Sequence, residues 1–278
     1  VIKELSQDSA AHVIYIDKDN EEFSFVQSHE ELTKYVKSNL LSNKRNYLFV
    51  DEIQNIKEFE VSLRSFHTND ECEMVITGSN AKMLSSELST YLSGRCVEYH
   101  IQSLDYREFL TFHRLSDNNQ SLHSYLKYGG LPQLHRIGLE ETELVDDYLK
   151  SVYHTIVLKD VIEREEIRNV PLLKNLIRFV GDNVGKVFSA SSIVKYLKSQ
   201  QVDSSTRVIL NYLEYLCNAY IINRVNRYDI HGKRLFELND KFYFEDIGIR
   251  NSLVASGRSS SMEKVIENVI YLHLVRLG

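Results

Sequence analysis

The 278-residue sequence contains no tryptophan, two prolines and three cysteines. Cys72, Cys96 and Cys217 are scattered, with no C-x-x-C pair and no Cys/His cluster, which argues against a zinc site or a disulfide framework. No apolar run reaches the roughly 18 residues needed to span a bilayer. Residues 1–17 are mixed polar, without the basic start and apolar core of a secretory signal. No membrane association is therefore expected, and the cytoplasm is the default compartment. Formal net charge is −6, so the chain as a whole is not expected to grip nucleic acid, although a local basic patch stays open. The histidines, His12, His67, His100 and His113 among them, show no ligand spacing and read as structural.

What is present is an ordinary globular balance, 43% hydrophobic and 26% charged, at a length that suggests about two domains. The first hundred residues alternate strand and helix patterns. Residues 1–5 read as a helix tail and His12–Asp17 as an apolar, β-rich run. Glu30–Leu40 is amphipathic, with Leu32, Tyr35, Val36 and Leu40 on one face. Tyr47–Val50 is a continuous apolar run, as in a parallel strand buried on both faces. Ile56–His67 reads as a helix, and Glu73–Thr77 and Cys96–Ile101 as two further strands. This order argues for α/β with a parallel sheet, where ligands bind outside the carboxyl ends of the strands. From Asp105 to about Val184 nearly everything reads helical, broken at Gly129-Gly130, Pro132 and Pro171. Two serine-capped helices follow, Ser189–Ser199 and Ser204/Ser205 to about Asn218. Tyr220–Tyr228 and Leu235–Phe244 then read as strands around a turn at Ile230–Lys233, a winged-helix pattern. The expected organisation is a core over 1–104, a helical segment over 105–184, a winged helix over 185–257, and a linker with one amphipathic helix over 258–278. Tyr125/Tyr128 and Tyr212/Tyr215, at helical spacing, read as core or helix-interface residues.

The run YLFVDE, Tyr47 to Glu52, carries the chemistry. A buried strand delivers two carboxylates at its end. In a P-loop ATPase the first, here Asp51, holds Mg²⁺ or its water shell, because that ion binds few protein oxygens and keeps its waters. The second, Glu52, polarises the attacking water, since phosphoryl transfer is mostly positioning and charge stabilisation. The plain alternative is a strand ending in solvated acids. The next strand, Met74–Thr77, ends in Gly78, Ser79 and Asn80. That puts small polar groups beside the carboxylates, where an additional-strand ATPase carries its γ-phosphate sensor, unless Ser79 and Asn80 simply cap a following helix. Arg95, preceded by Gly94, suits an arginine finger or sensor, or is a surface arginine.

The phosphate-binding loop G-x-x-x-x-G-K-[ST] has no match in the sequence. The run GDNVGK, Gly181 to Lys186, is one residue short, has Val187 in place of Ser/Thr, and lies in the helical half. The first residue is Val rather than Met and the last lies within a helical pattern, so the chain is expected to be truncated at both ends and unable to hydrolyse ATP alone. Elsewhere, Arg207 and Asn211 on the second capped helix, with Arg224, Arg227, Lys233 and Arg234 around the hairpin, suit a DNA face. Protein packing is the competing use, and Glu214 lies on the same helix. Asp160 and Arg164 form an i, i+4 pair expected to be structural.

In combination, YLFVDEIQN (47–55), VITGSNAKMLSSEL (75–88), YLSGR (91–95), the L-x-x-x-E-F segment (104–109) and YGGLP (128–132) resemble the bacterial and archaeal AAA+-type ATPases with a C-terminal domain of unknown function. VLKDVIER (157–164), GKVFSASSIVKYL (185–197), FYFEDIGIRN (242–251) and EN (267–268) resemble the C-terminal region of that family. The resemblance covers nearly the whole chain. It implies an ATP-binding core, a winged helix and a final nuclease-like domain, with ATP and Mg²⁺ as ligands. It gives Asp51 the Mg²⁺ role, Glu52 the water-activating role, Thr77, Ser79 and Asn80 the sensor positions, and Arg95 the arginine of the SGR motif. A homo-oligomer is expected by analogy. The sequence departs from the family in lacking the Walker A lysine and Ser/Thr, and in ending after the first helix of the last domain. A DNA-binding module using Arg207, Asn211 and Lys233, or a degenerate ATPase fold serving as a scaffold, are the competing expectations.

Overall fold

The computed structural model describes residues 1–79, 96–226, 240–254 and 262–277. The chain divides into two compact units, Val1–Tyr99 and His100–Gly278.

In the first unit β1 (Ala11–Asp17), β2 (Arg45–Asp51) and β3 (Glu73–Ile76) form a parallel sheet in the order β1-β2-β3. A short α1 (Ile2–Leu5) precedes β1, while α2 (His29–Asn39) and α3 (Phe59–Thr68) make the crossovers. The start of α2 is fixed by Glu31, which accepts from the Ser28 N–H at 3.0 Å, a capping contact that satisfies a donor the helix cannot. Register then sorts the side chains. Ile14 pairs with Leu48 and Leu48 with Met74, and Ile16 with Val50 and Val50 with Ile76. These residues pack with Leu32 and Val36 of α2 and Leu63 and Phe66 of α3 into one core. Each of the fully buried ones contributes roughly 1.5–3 kcal/mol, and Met74 and Ile76, partly buried, contribute less. Strand side chains alternate between faces, so Tyr15, Phe49 and Val75 lie on the opposite face, and Asp17, Asp51 and Thr77 share it. Phe49 on the central strand is buried there, but Tyr15 and Val75 on the flanks are 42% and 47% exposed.

One expected strand is absent. Cys96–Ile101 is irregular, and Val97, Tyr99 and Ile101 are 76%, 80% and 88% exposed. Its period-two pattern is genuine, but a strand exists only where a neighbour takes its hydrogen bonds, and none pairs with it among the described residues.

The second unit is mostly helical: α4 (Tyr106–His113), α5 (Asn119–Tyr128), α6 (Leu134–Ile137), α7 (Thr142–Thr155) and α8 (Val170–Asp182). α7 runs on into π-type turns over Ile156–Glu163, where Asp160 and Arg164 form the expected pair at 3.3 Å. Pro171 stands in the first turn of α8, where its missing N–H costs nothing. Ser189 and Ser205 cap α9 (Ala190–Ser199) and α10 (Thr206–Asn218). Antiparallel β4 (Ile222–Val225) and β5 (Lys241–Phe244) follow, with the turn at Ile230–Lys233 outside the described residues. α11 (Ile247–Leu253) and α12 (Met262–Leu277) complete the unit.

A buried polar node joins these parts. Asp246, 3% exposed, caps α11 by accepting from Ile249 N–H at 3.0 Å and also accepts from Gly130 N–H at 2.8 Å. Arg250, 1% exposed, donates from Nε and Nη2 to the Gly181 carbonyl at 2.9 and 2.8 Å. Asn268 of α12 imitates a strand neighbour of β5, accepting from Phe244 N–H at 2.8 Å and donating to the Phe244 carbonyl at 2.9 Å. The sequence segments FYFEDIGIRN and EN meet in this node.

Candidate functional site

Parallel strands bring their carboxyl ends to one edge of the sheet, and β2 and β3 end there in polar residues. Thr77 extends the β3 ladder, its N–H donating to the Val50 carbonyl at 2.9 Å. Its hydroxyl then lies between the acids: Thr77 Oγ1 donates to Asp51 Oδ1 and accepts from the Glu52 N–H at 3.3 Å. The Ile53 N–H donates to the Thr77 carbonyl at 3.1 Å and closes the turn. Glu52 itself has φ 55° and ψ 50°, a left-handed conformation that a residue with a Cβ adopts at a cost. That conformation is held by the surrounding bonds, and it turns the Glu52 side chain away from the strand direction.

Ser79 Oγ donates to Glu52 Oε2 at 3.2 Å, and Gln54 Nε2 donates both to Glu52 Oε2 and to Ser79 Oγ, the latter at 3.1 Å. Two side chains therefore orient one carboxylate. Gln54 Oε1 is buried with no hydrogen-bond partner among the described residues. Flipping the amide would set an oxygen against the Glu52 carboxylate, so the unsatisfied atom is the acceptor. A buried acceptor left alone costs about 1–3 kcal/mol. On the β1 side, Asp17 lies in register with Asp51. Burial and then the Asp51 and Asp17 carboxylates push the Tyr15 phenol upward, which keeps it a neutral donor toward Asp51.

The structure thus brings Asp51, Glu52, Thr77 and Ser79 together. Asn80 and Arg95 lie outside the described residues. Sequence reasoning missed Gln54 and Tyr15. The signal for Gln54 was its position two residues after Glu52, with a 3-10 turn over Ile53–Asn55 folding it back. Mg²⁺ fits the acidic corner as an ion held by one carboxylate and mostly by water and phosphate oxygens. An all-protein cage does not, since no group of three His, Cys, Asp or Glu residues converges among the described residues.

The expected DNA face is less concentrated. Arg207 and Asn211 are exposed on α10, but Glu214 is exposed one turn further along the same face. Arg224 is engaged by Asp240, with Nε to Oδ2 at 2.7 Å and Nη2 to Oδ2 at 2.6 Å. Lys233, Arg227 and Arg234 lie outside the described residues. No helix among the described residues is long and apolar enough to cross a membrane.

Comparison with known proteins adds the following. Residues 1–110 match the family described as an AAA domain, and residues 119–260 match a domain of unknown function, DUF8612. An uncharacterized protein of Haemophilus influenzae is 31% identical over 277 residues, covering 97% of this chain and 68% of that protein. An uncharacterized protein of Methanocaldococcus jannaschii is 28% identical over 278 residues, covering 95% of this chain and 60% of that protein. A Walker-type ATPase of Pyrococcus abyssi has a similar structure, with a TM-score of 0.55 at 13% identity, covering 91% of this chain and 93% of that one. At that identity the likeness is one of fold.

Proposed function

The chain belongs to the P-loop ATPases of AAA+ type that carry a C-terminal domain of unknown function, and from that membership we propose that Asp51 and Glu52 are the metal-holding and water-activating residues of an ATP-hydrolysing site. The observation that carries this reading is the bonded set at the sheet edge, in which Thr77 holds Asp51 and the Glu52 N–H while Gln54 and Ser79 orient the Glu52 carboxylate. Solvated acids at the end of a strand need no such support. Asp51, held by the Thr77 hydroxyl, would hold Mg²⁺, which supplies charge neutralisation at phosphate oxygens. Glu52 accepts a hydrogen from a water and aligns it, its carboxylate held in place by Gln54 Nε2. Asn80 and Arg95 are assigned sensor and finger roles on the family motif alone. The sequence has no Walker A match, so hydrolysis is assigned to the full-length protein and not to these 278 residues by themselves. The segment 185–257 is assigned as a winged helix on its two capped helices and antiparallel strand pair.

The test is ATP turnover and ATP binding by the full-length protein with Glu52→Gln. Loss of an activating carboxylate lowers turnover by about 10²–10⁴-fold while nucleotide binding persists. Unchanged turnover sinks the assignment of Glu52. A second reading, DNA contact through α10, rests on the exposed Arg207 and Asn211. Fluorescence-anisotropy titration with duplex DNA discriminates it: affinity unaffected by Arg207→Ala with Lys233→Ala rules it out.

A further inference from the structure

A cavity of about 230 Å³ opens between α7 and α8 in the second unit, lined by Lys150, Tyr153, His154, Lys174, Arg178 and Ser252. α11 packs against both of these helices. Lys150 and His154 are i, i+4 on α7, and Lys174 and Arg178 are i, i+4 on α8. That spacing stacks each pair on one helix face, about 5–6 Å apart at Cβ. The gap is therefore walled by one lysine–histidine row and one lysine–arginine row. No acidic side chain lines it. Lys150 touches Asp147 at 3.6 Å, but both side chains are more than half exposed, so that pair restrains Lys150 little. Tyr153 is 6% exposed, with its ring beneath the rows. Burial raises its phenol and the nearby Arg178 charge pulls it down, so it remains a neutral hydroxyl at neutral pH.

We propose that this cleft is a phosphate-binding site, taking a multiply charged phosphate such as a diphosphate or the phosphates of a nucleic-acid backbone. Three permanent cations and an imidazole around one gap repel one another, and an anion relieves that repulsion. Arginine offers a planar fork of donors and lysine a point charge, the pairing found where phosphate oxygens are held. The volume lies below the roughly 300–1,000 Å³ of pockets that enclose drug-sized ligands. The site thus holds the charged group and leaves any attached nucleoside in solvent, so recognition is independent of base sequence. In an acidic chain, such a site supplies locally the positive surface that the net charge of −6 withholds. It does not depend on the Asp51–Glu52 reading, because every lining residue belongs to the second unit.

The experiment uses the full chain, with pyrophosphate by calorimetry and a fluorescent 20-base-pair duplex by anisotropy at 50 and 200 mM salt. The variants are Lys174→Ala with Arg178→Ala, and Lys198→Ala on α9 as a control. Thermal unfolding checks that each is folded. If free phosphate is the ligand, pyrophosphate binds the wild type and the control but not the double variant. If the backbone is the ligand, the duplex binds and pyrophosphate competes. Two phosphate contacts at a slope of about 0.9 each then make the wild type lose about 12-fold more affinity over that salt range than the double variant. Binding of neither probe, equal binding by the double variant, or binding of polyglutamate alone overturns the proposal.

Discussion

Replacing Asp246 by alanine tests whether the buried polar node holds the second unit together. Two bonds are lost. The cap on α11, Ile249 N–H to Oδ1 at 3.0 Å, is worth about 1 kcal/mol. The Gly130 N–H, 2.8 Å from Oδ2 and buried, is left without a partner at about 1–3 kcal/mol. The expected destabilisation is therefore about 2–4 kcal/mol, large against the 5–15 kcal/mol of a typical domain. Asp246→Asn separates shape from chemistry, because its NH₂ group faces one of the two donors and loses that bond while keeping the volume. Burial raises the Asp246 pKa, opposed by hydrogen bonds from Gly130, Ile249, Ser103 and Gly248. A raised folded pKa gives a contribution that is full below the unfolded value and lost as pH rises through the folded one. The penalty of Asp246→Ala is therefore larger at pH 4 than at pH 8. Urea unfolding followed by far-UV circular dichroism measures it, since the chain has 17 tyrosines but no tryptophan to report by fluorescence. A loss under about 0.5 kcal/mol, the level of an ordinary surface substitution, refutes the reasoning.

Three further outcomes follow from the same geometry. Glu245 has both carboxylate oxygens buried, with His100 Nε2 at 3.2 Å, and burial raises its pKa against the pull of His100 and Asn223. Glu245→Gln should stabilise the protein at pH 8 and reduce the fall in stability with rising pH, a slope limited to about 1.4 kcal/mol per pH unit for one proton; an unchanged pH profile of urea midpoints counts against it. Gly248→Ala drives a Cβ into the Tyr128 carbonyl, a backbone atom that cannot step aside, so the loss should reach the upper end of about 1–3 kcal/mol in thermal or urea unfolding. Thr77→Val keeps the shape but removes the hydroxyl that holds Asp51, so ATP turnover by the full-length protein should fall about 10²-fold with the fold intact; full activity removes Thr77 from the site.

The strand-end acids, the sheet class and both serine caps were legible because each depends on residues adjacent in sequence. YLFVDE needs only a buried strand and the two half-buried positions that follow it. Ser189 and Ser205 act on helices that begin at the next residue. Cys96–Ile101 misled because its alternation is local and a strand's hydrogen bonds are not. Gln54 and Tyr15 escaped notice for the same reason. Each matters through a carboxylate brought to it by a turn or by strand register, and neither carries a charge that marks it in sequence.

The sequence by itself determined the parallel α/β class of the first unit, the serine-capped starts of α9 and α10, which acids emerge at the end of β2, and the family to which those motifs belong. Hydrophobic period and capping chemistry are short-range, and a few neighbouring residues settle them. Only tertiary structure decided that Thr77 and Ser79 meet acids some 25 residues away, and that Gly130 meets an aspartate 116 residues away. It alone brought Lys150 and His154 of α7 and Lys174 and Arg178 of α8 to one cavity. Such contacts depend on register and helix packing, which arise from burial summed over the whole unit and are written in no single stretch of chain.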